Sequence, residues 1–210
     1  MEGVSRLTGS SCAICSLADK EIELLADALI HNTTLQTLDV GGNMITETGA
    51  IALESMLKRN TYIHHLILDW NRIRLAGAAA LARMLESNSA LESLVLGHNA
   101  CGNSGAIKLA EALVLNSTLR TLDVKFNGVG VEGAYAIAHG LTRNKGLTSI
   151  DISGNTIGKE GGVRLWNSVL THPAICSVGM DRIGANMQHG ASPGTPNQHT
   201  TLGVLYELVL

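Results

Sequence analysis

Shifted against itself by 28 residues, the sequence brings aliphatic side chains into register seven times, at Leu7, Leu35, Ile63, Leu91, Leu119, Leu147 and Ile175. Three residues on, the column reads Ser10, Leu38, Leu66, Leu94, Leu122, Ile150 and Val178. Two further on it reads Cys12, Val40, Leu68, Leu96, Val124, Ile152 and Met180. A spacing of two puts both side chains on one side of an extended strand. Three residues later come Cys15, Asn43, Asn71, Asn99, Asn127 and Asn155, before the column fails at Ile183. An asparagine amide at a turn bonds main-chain groups that the sheet leaves unpaired, and stacked copies serve successive turns.

The second half of each unit has helical spacing. Gly49, Ala50, Leu53, Met56 and Leu57 form one apolar stripe, repeated over 77–85, 105–113, 133–141 and, less regularly, 161–169. Glycine and alanine in the first turn let each helix lie close to its neighbour. The helices run out at Asn60, Asn88, Asn116 and Asn144, a residue type that tolerates left-handed backbone at a helix end.

Leu35-x-x-Leu38-x-Val40-x-x-Asn43-x-Ile45 and its copies through Asn155 resemble the leucine-rich repeat pattern. The period and helical second half look like the ribonuclease-inhibitor class, also found in NOD-like receptors and Ran GTPase-activating proteins. The resemblance covers residues 7 to about 182. It implies an α/β fold, a right-handed solenoid with a parallel sheet on the concave face and helices on the convex face. One repeat cannot bury its own apolar face, so stability comes from stacking. The expected organisation is a solenoid over 1–183, with six full repeats starting near 7, 35, 63, 91, 119 and 147 and a partial one at 175. A Gly/Ser/Pro/Asn-rich linker over 184–201 and an apolar segment, Leu202 to Leu210, follow. That last segment either folds back over the final repeat or docks on another chain.

Chemistry-bearing residues fall into the same register. Cys12 and Cys15 form a C-x-x-C, but one lies on the inward strand column and the other on the Asn column. Cys101 shares the column of Ile45, Ile73, Val129 and Ile157. Structural burial is the reading of these thiols. The eight histidines scatter over different repeats, so no set of three or four converges for a metal. No nucleophile elbow, phosphate loop or H-E-x-x-H is present. The sequence therefore predicts no enzyme, cofactor or metal site.

With 15 basic against 18 acidic side chains and a net charge of -3, bulk charge argues against a nucleic-acid partner. Apolar runs fall far short of the roughly 20 residues that span a bilayer. The amino terminus lacks the pattern of a signal peptide, and four cysteines suit a reduced, cytoplasmic chain.

What the repeat does not explain lies on the strands' outward columns. Ile67 and Val95 form an apolar centre among His65, Asp69, Asp123 and Lys125, and Trp70, His98 and Phe126 occupy one edge position in three consecutive repeats. Large rings there have no structural requirement, and tryptophan is enriched at interface hot spots. The other reading folds Trp70 and Phe126 over the turn against their own loops. These nine residues are the candidate patch for a protein partner. The expected function is a non-catalytic interaction module or scaffold subunit, with cytoskeletal or ciliary association a family expectation. The alternative implied by the resemblance is a regulator of an enzyme, of the inhibitor or GTPase-activating type. Arg72 and Arg74 follow a repeat turn but match no catalytic motif.

Overall fold

The computed structural model describes residues 6–8 and 17–184. Seven three-residue strands, β1 Arg6–Thr8, β2 Thr37–Asp39, β3 His65–Ile67, β4 Ser93–Val95, β5 Thr121–Asp123, β6 Ser149–Asp151 and β7 Ser177–Gly179, form one sheet in chain order. Every neighbouring pair is parallel. Between them run α1 Asp19–Leu29, α2 Glu47–Leu57, α3 Arg74–Leu85, α4 Gly102–Leu115, α5 Val131–Arg143 and α6 Gly158–Leu170. Among the described helices, contacts run only between sequence neighbours, from α1 against α2 to α5 against α6. This is a right-handed solenoid with the sheet concave and the helices convex.

The core is the space between those two layers. Leu38, Leu66, Leu94, Leu122 and Ile150, at the centres of β2 to β6, are buried. So are the helix residues Leu53, Leu57, Leu81, Leu85, Leu109, Leu113, Ile137 and Leu141. The helices start two or three residues before their small-residue turns. At Gly77 an added Cβ would overlap the Ile73 side chain and press on Ala50 at 3.1 Å, so glycine there sets how closely α3 approaches α2. Buried Glu54 ties the same two helices, accepting from Lys58 and, through both carboxylate oxygens, from Arg83. Burial alone would raise this carboxyl, but the two cations outweigh it and hold it below its ordinary value.

The first repeat departs from the expected register. β2 to β7 pair at a shift of 28, as in Leu38↔Leu66, but β1 pairs Leu7 with Leu38, a shift of 31. Leu7 is therefore a strand centre, equivalent to Leu38 and not to Leu35. Cys12 and Cys15, residues 185–201 of the linker and Leu202 to Leu210 all lie outside the described residues.

Asparagines build two hydrogen-bonded ladders. Along the first, the Nδ2 groups of Asn71, Asn99, Asn127 and Asn155 each donate across the rung to the carbonyl 31 residues earlier. Asn43, at the start, donates to Val40 O and Gly41 O. The Oδ1 atoms of Asn43, Asn71, Asn99, Asn127 and Asn155 accept from Leu17, Ile45, Ile73, Cys101 and Val129 N–H.

The second ladder corrects the helix-end expectation. Asn116 and Asn144 have extended backbone at φ -82° and -68°, not left-handed. Their role lies in the side chain: Asn144 Nδ2 donates to Leu113 O and Asn116 O, and its Oδ1 accepts from Gly146 and Leu147 N–H. Asn60, Asn88 and Asn116 repeat the pattern.

His172 takes the next position and completes only half of it. Its Nδ1 accepts from Ala174 and Ile175 N–H, while Nε2 makes no well-formed hydrogen bond among the described residues. Burial pushes its pKa below the ordinary value, the Asn144 backbone pulling the other way. The unfolded chain therefore takes up this proton first. The stabilising neutral state is fully present above about pH 6.5 and is lost as pH falls toward the folded pKa. Replacing His172 with asparagine is expected to raise stability by about 1 kcal/mol and to flatten the slope in that window. Thermal denaturation at pH 7.5 and 5.5 checks this, and equal slopes for both proteins would count against it.

Candidate protein-interaction surface

Leaving each of β2 to β7, the chain first turns through a left-handed residue. Gly42, Trp70, His98, Phe126, Gly154 and Arg182 occupy this position in successive repeats, with φ between 51° and 69°. The N–H groups of the first five donate to the carbonyl 27 residues later in the next rung, so each turn is fixed by its neighbour. Left-handed backbone costs an L-residue roughly 1–2 kcal/mol, and glycine avoids this on either side of the three rings, at Gly42 and Gly154, though not at Arg182. Three ring-bearing residues at such a position are not there for the turn.

The rings stack on one another. Trp70 and His98 lie 3.7 Å apart between centroids with planes at 11°, and His98 and Phe126 lie 4.5 Å apart at 13°. Each such pair contributes about 0.5–1.5 kcal/mol beyond area burial. Phe126 leans forward over Gly154, whose missing Cβ makes room for the ring, whereas nothing lies within 4 Å of the Cβ position on Gly42. The stack is closed at its Phe126 end and open at its Trp70 end. Trp70 is 61% exposed and Phe126 38%.

Beside the rings runs a polar strip. Asp39 Oδ1, Asp123 Oδ1 and Asp151 Oδ1 accept from the N–H two residues on, so these carboxylates help form the turns. Asp123 is 9% exposed and pairs with Lys125 Nζ at 2.8 Å. Its hydrogen bond holds the ammonium above the ordinary value, against the opposing effect of burial. Asp69 sits over Gly41. Burial, and then the charge of Asp39, push its carboxyl up. His65 is exposed, and Ile67 and Val95 are half-buried between the rows.

Of the nine nominated residues, the structure joins Trp70, His98 and Phe126 in one stack and Asp123 with Lys125 in one ion pair. His65, Ile67, Asp69 and Val95 lie on the same open sheet face. The rings fold against one another, an arrangement that neither sequence reading contained. Gly42 and Gly154 share the column of the three rings in the sequence, and two glycines there were the available sign of a positive φ that the pattern was not read for.

Among the described residues no group of three or more His, Cys, Asp or Glu is placed to hold a metal. Cys101 is buried and its thiol is pushed up to about 12, which makes it a packing residue rather than a nucleophile. No described helix is long and apolar enough to cross a membrane.

The repeats, the parallel sheet and the asparagine ladder define a repeat solenoid whose family model, Leucine Rich repeat, matches residues 31–53, 59–82, 87–110, 115–138 and 143–165. The chain belongs to the leucine-rich repeat family, and its fold is that of a protein-interaction module. Among solved structures it is similar to the leiomodin-1 actin-binding site 2, with 25% identity and a TM-score of 0.58 over 68% of this chain and 82% of that one. It is also similar to TLR13 in the TLR13–ssRNA13 complex, with 16% identity and a TM-score of 0.47 over 73% of this chain and 20% of that one. A comparison with curated proteins finds no match.

Proposed function

We propose that this chain is a non-catalytic module of the ribonuclease-inhibitor-like class that holds a protein partner against its concave sheet, with Trp70, His98 and Phe126 as the central contact. The supporting observation is a three-ring stack, partly exposed, built on left-handed positions where glycine serves the flanking repeats. Backbone outliers with no structural return cluster at sites of use, and exposed aromatic anchors dominate interface energetics. His65, Ile67, Asp69, Val95, Asp123 and Lys125 form the rest of the patch. No observation on the described surface favours regulation of an enzyme over plain binding.

The similarity to the leiomodin-1 actin-binding site 2 supports a cytoskeletal client, and with it a cytoplasmic location. Purified actin, monomeric and filamentous, is the first partner to test. The wild type is expected to bind it, and the Trp70→Ala/Phe126→Ala double variant, checked by circular dichroism, to bind at least about 10-fold more weakly. Equal binding by the two proteins would remove the ring stack from the contact. Binding by neither would remove actin as the client.

A further inference from the structure

The open end of the ring stack has the form of a half-built sandwich. One face of Trp70 is covered by His98 at 3.7 Å. The Gly42 turn before it carries no side chain, and its Cβ position is surrounded by open space. Next to that space Asp69 leans over Gly41, with Asp39 close enough for its charge to act on it. Among the described residues Asp69 makes no ion pair: the charge of Lys125 reaches it, but that ammonium is bonded to Asp123. The three outward columns carry Asp39, Asp69, Asp123, Asp151 and Asp181 against Lys125 alone, while Arg72 and Arg74 follow in the chain beyond Asn71.

We infer that the Gly42 turn is a slot for an arginine side chain of the bound protein, whose guanidinium stacks on the free face of Trp70 and pairs with Asp69. The inference rests on the interaction surface proposed above and supplies the chemistry of its partner. A flat cation satisfies both halves of the site, because a guanidinium stacks on an aromatic face while its N–H groups reach a carboxylate in its own plane. An ammonium satisfies only the charge, and a neutral ring only the stack. A nucleic-acid base would also stack on Trp70, but its phosphates would face the carboxylate strip.

The test uses the full chain with Trp166→Phe, so that Trp70 is the remaining tryptophan, and follows its fluorescence. Probes are the blocked peptides acetyl-GRGRG-amide, acetyl-GKGKG-amide and the citrulline analogue of the first, with oligothymidylate as the nucleic-acid arm. The arginine peptide is expected to bind at least about 5-fold tighter than the lysine or citrulline peptides. Gly42→Phe, which places a ring where Trp70 and Phe126 already show that left-handed backbone accepts one, is expected to abolish binding. Asp69→Asn is expected to weaken it several-fold. Equal response to the three peptides overturns the slot, as does arginine-peptide binding that survives Gly42→Phe, or oligothymidylate binding in the peptide's place. If the peptide fails while Trp70→Ala/Phe126→Ala still releases the protein partner, the slot is wrong and the interaction surface stands. If both fail, the surface is wrong.

Discussion

Replacing Asn99 with alanine is expected to destabilise the solenoid by about 1–3 kcal/mol, a large part of the roughly 5–15 kcal/mol that holds a domain together. Asn99 is 1% exposed. Its Nδ2 donates to Leu68 O at 2.8 Å and to Leu96 O and Gly97 O at 3.1 Å, and its Oδ1 accepts from Ile73 N–H. The carbonyls keep other donors when this amide is lost: Asn71 bonds Leu68 O, Asn127 bonds Leu96 O, and Trp70 N–H bonds Gly97 O. Ile73 N–H keeps none. One orphaned buried donor costs about 1–3 kcal/mol and sets the size of the loss, since the three carbonyls stay bonded. Urea denaturation gives the measurement, as a lower midpoint at unchanged slope. Asn99→Asp separates bonding from packing, because its charged carboxylate faces carbonyl oxygens. It is expected to be at least as damaging at pH 7, with recovery as the pH falls and the acid becomes a donor. A loss below 1 kcal/mol for alanine would mean that the ladder is ornamental.

Much of this architecture is legible because a period of 28 leaves few choices. Alternate aliphatic residues such as Leu66 and Leu68 can face the core together only on a strand. Leu53 and Leu57 fall on one face only of a helix. The sheet register followed wherever several columns agreed. It failed at β1, because Leu7 alone fits either aliphatic column. Ser10, opposite a column of buried leucines, was the residue that disagreed. Spacing also leaves bonding partners open. Asn60, Asn88, Asn116 and Asn144 recur as faithfully as the turn asparagines, yet only the structure shows their amides reaching carbonyls of the preceding rung. The ring column was visible in the sequence, but its geometry depends on a dihedral that no hydrophobic pattern encodes. Stacking follows because three successive turns hold the same φ, and rings carried on them are brought nearly parallel.

The closeness of the helices suggests where the stack of repeats is least forgiving. Gly140 lies inside α5, where glycine ordinarily costs about 0.5–1 kcal/mol relative to alanine, so propensity alone predicts that Gly140→Ala stabilises the protein. The structure predicts the reverse. A Cβ there would stand 2.8 Å from the Ala110 carbonyl oxygen and 3.4 Å from its Cα, and this obstacle is α4 backbone, which cannot rotate aside. Alanine is expected to cost about 1–2 kcal/mol and Gly140→Leu about 3 kcal/mol or more, because the whole of α5 must move outward. In a solenoid such a wedge acts on one interface, between the repeats that precede α5 and those that follow. Stability there is a sum of nearest-neighbour terms, so the leucine variant is expected to lose cooperativity as well as midpoint, with a shallower urea transition by circular dichroism. The wedge lies in the last turn of α5, at the far end of the helix from the Phe126 turn, which enters α5 through Val129 and Gly130. A stabilised Gly140→Ala would show that α4 and α5 have room to part, and would remove close helix packing as the reason for glycine at this position.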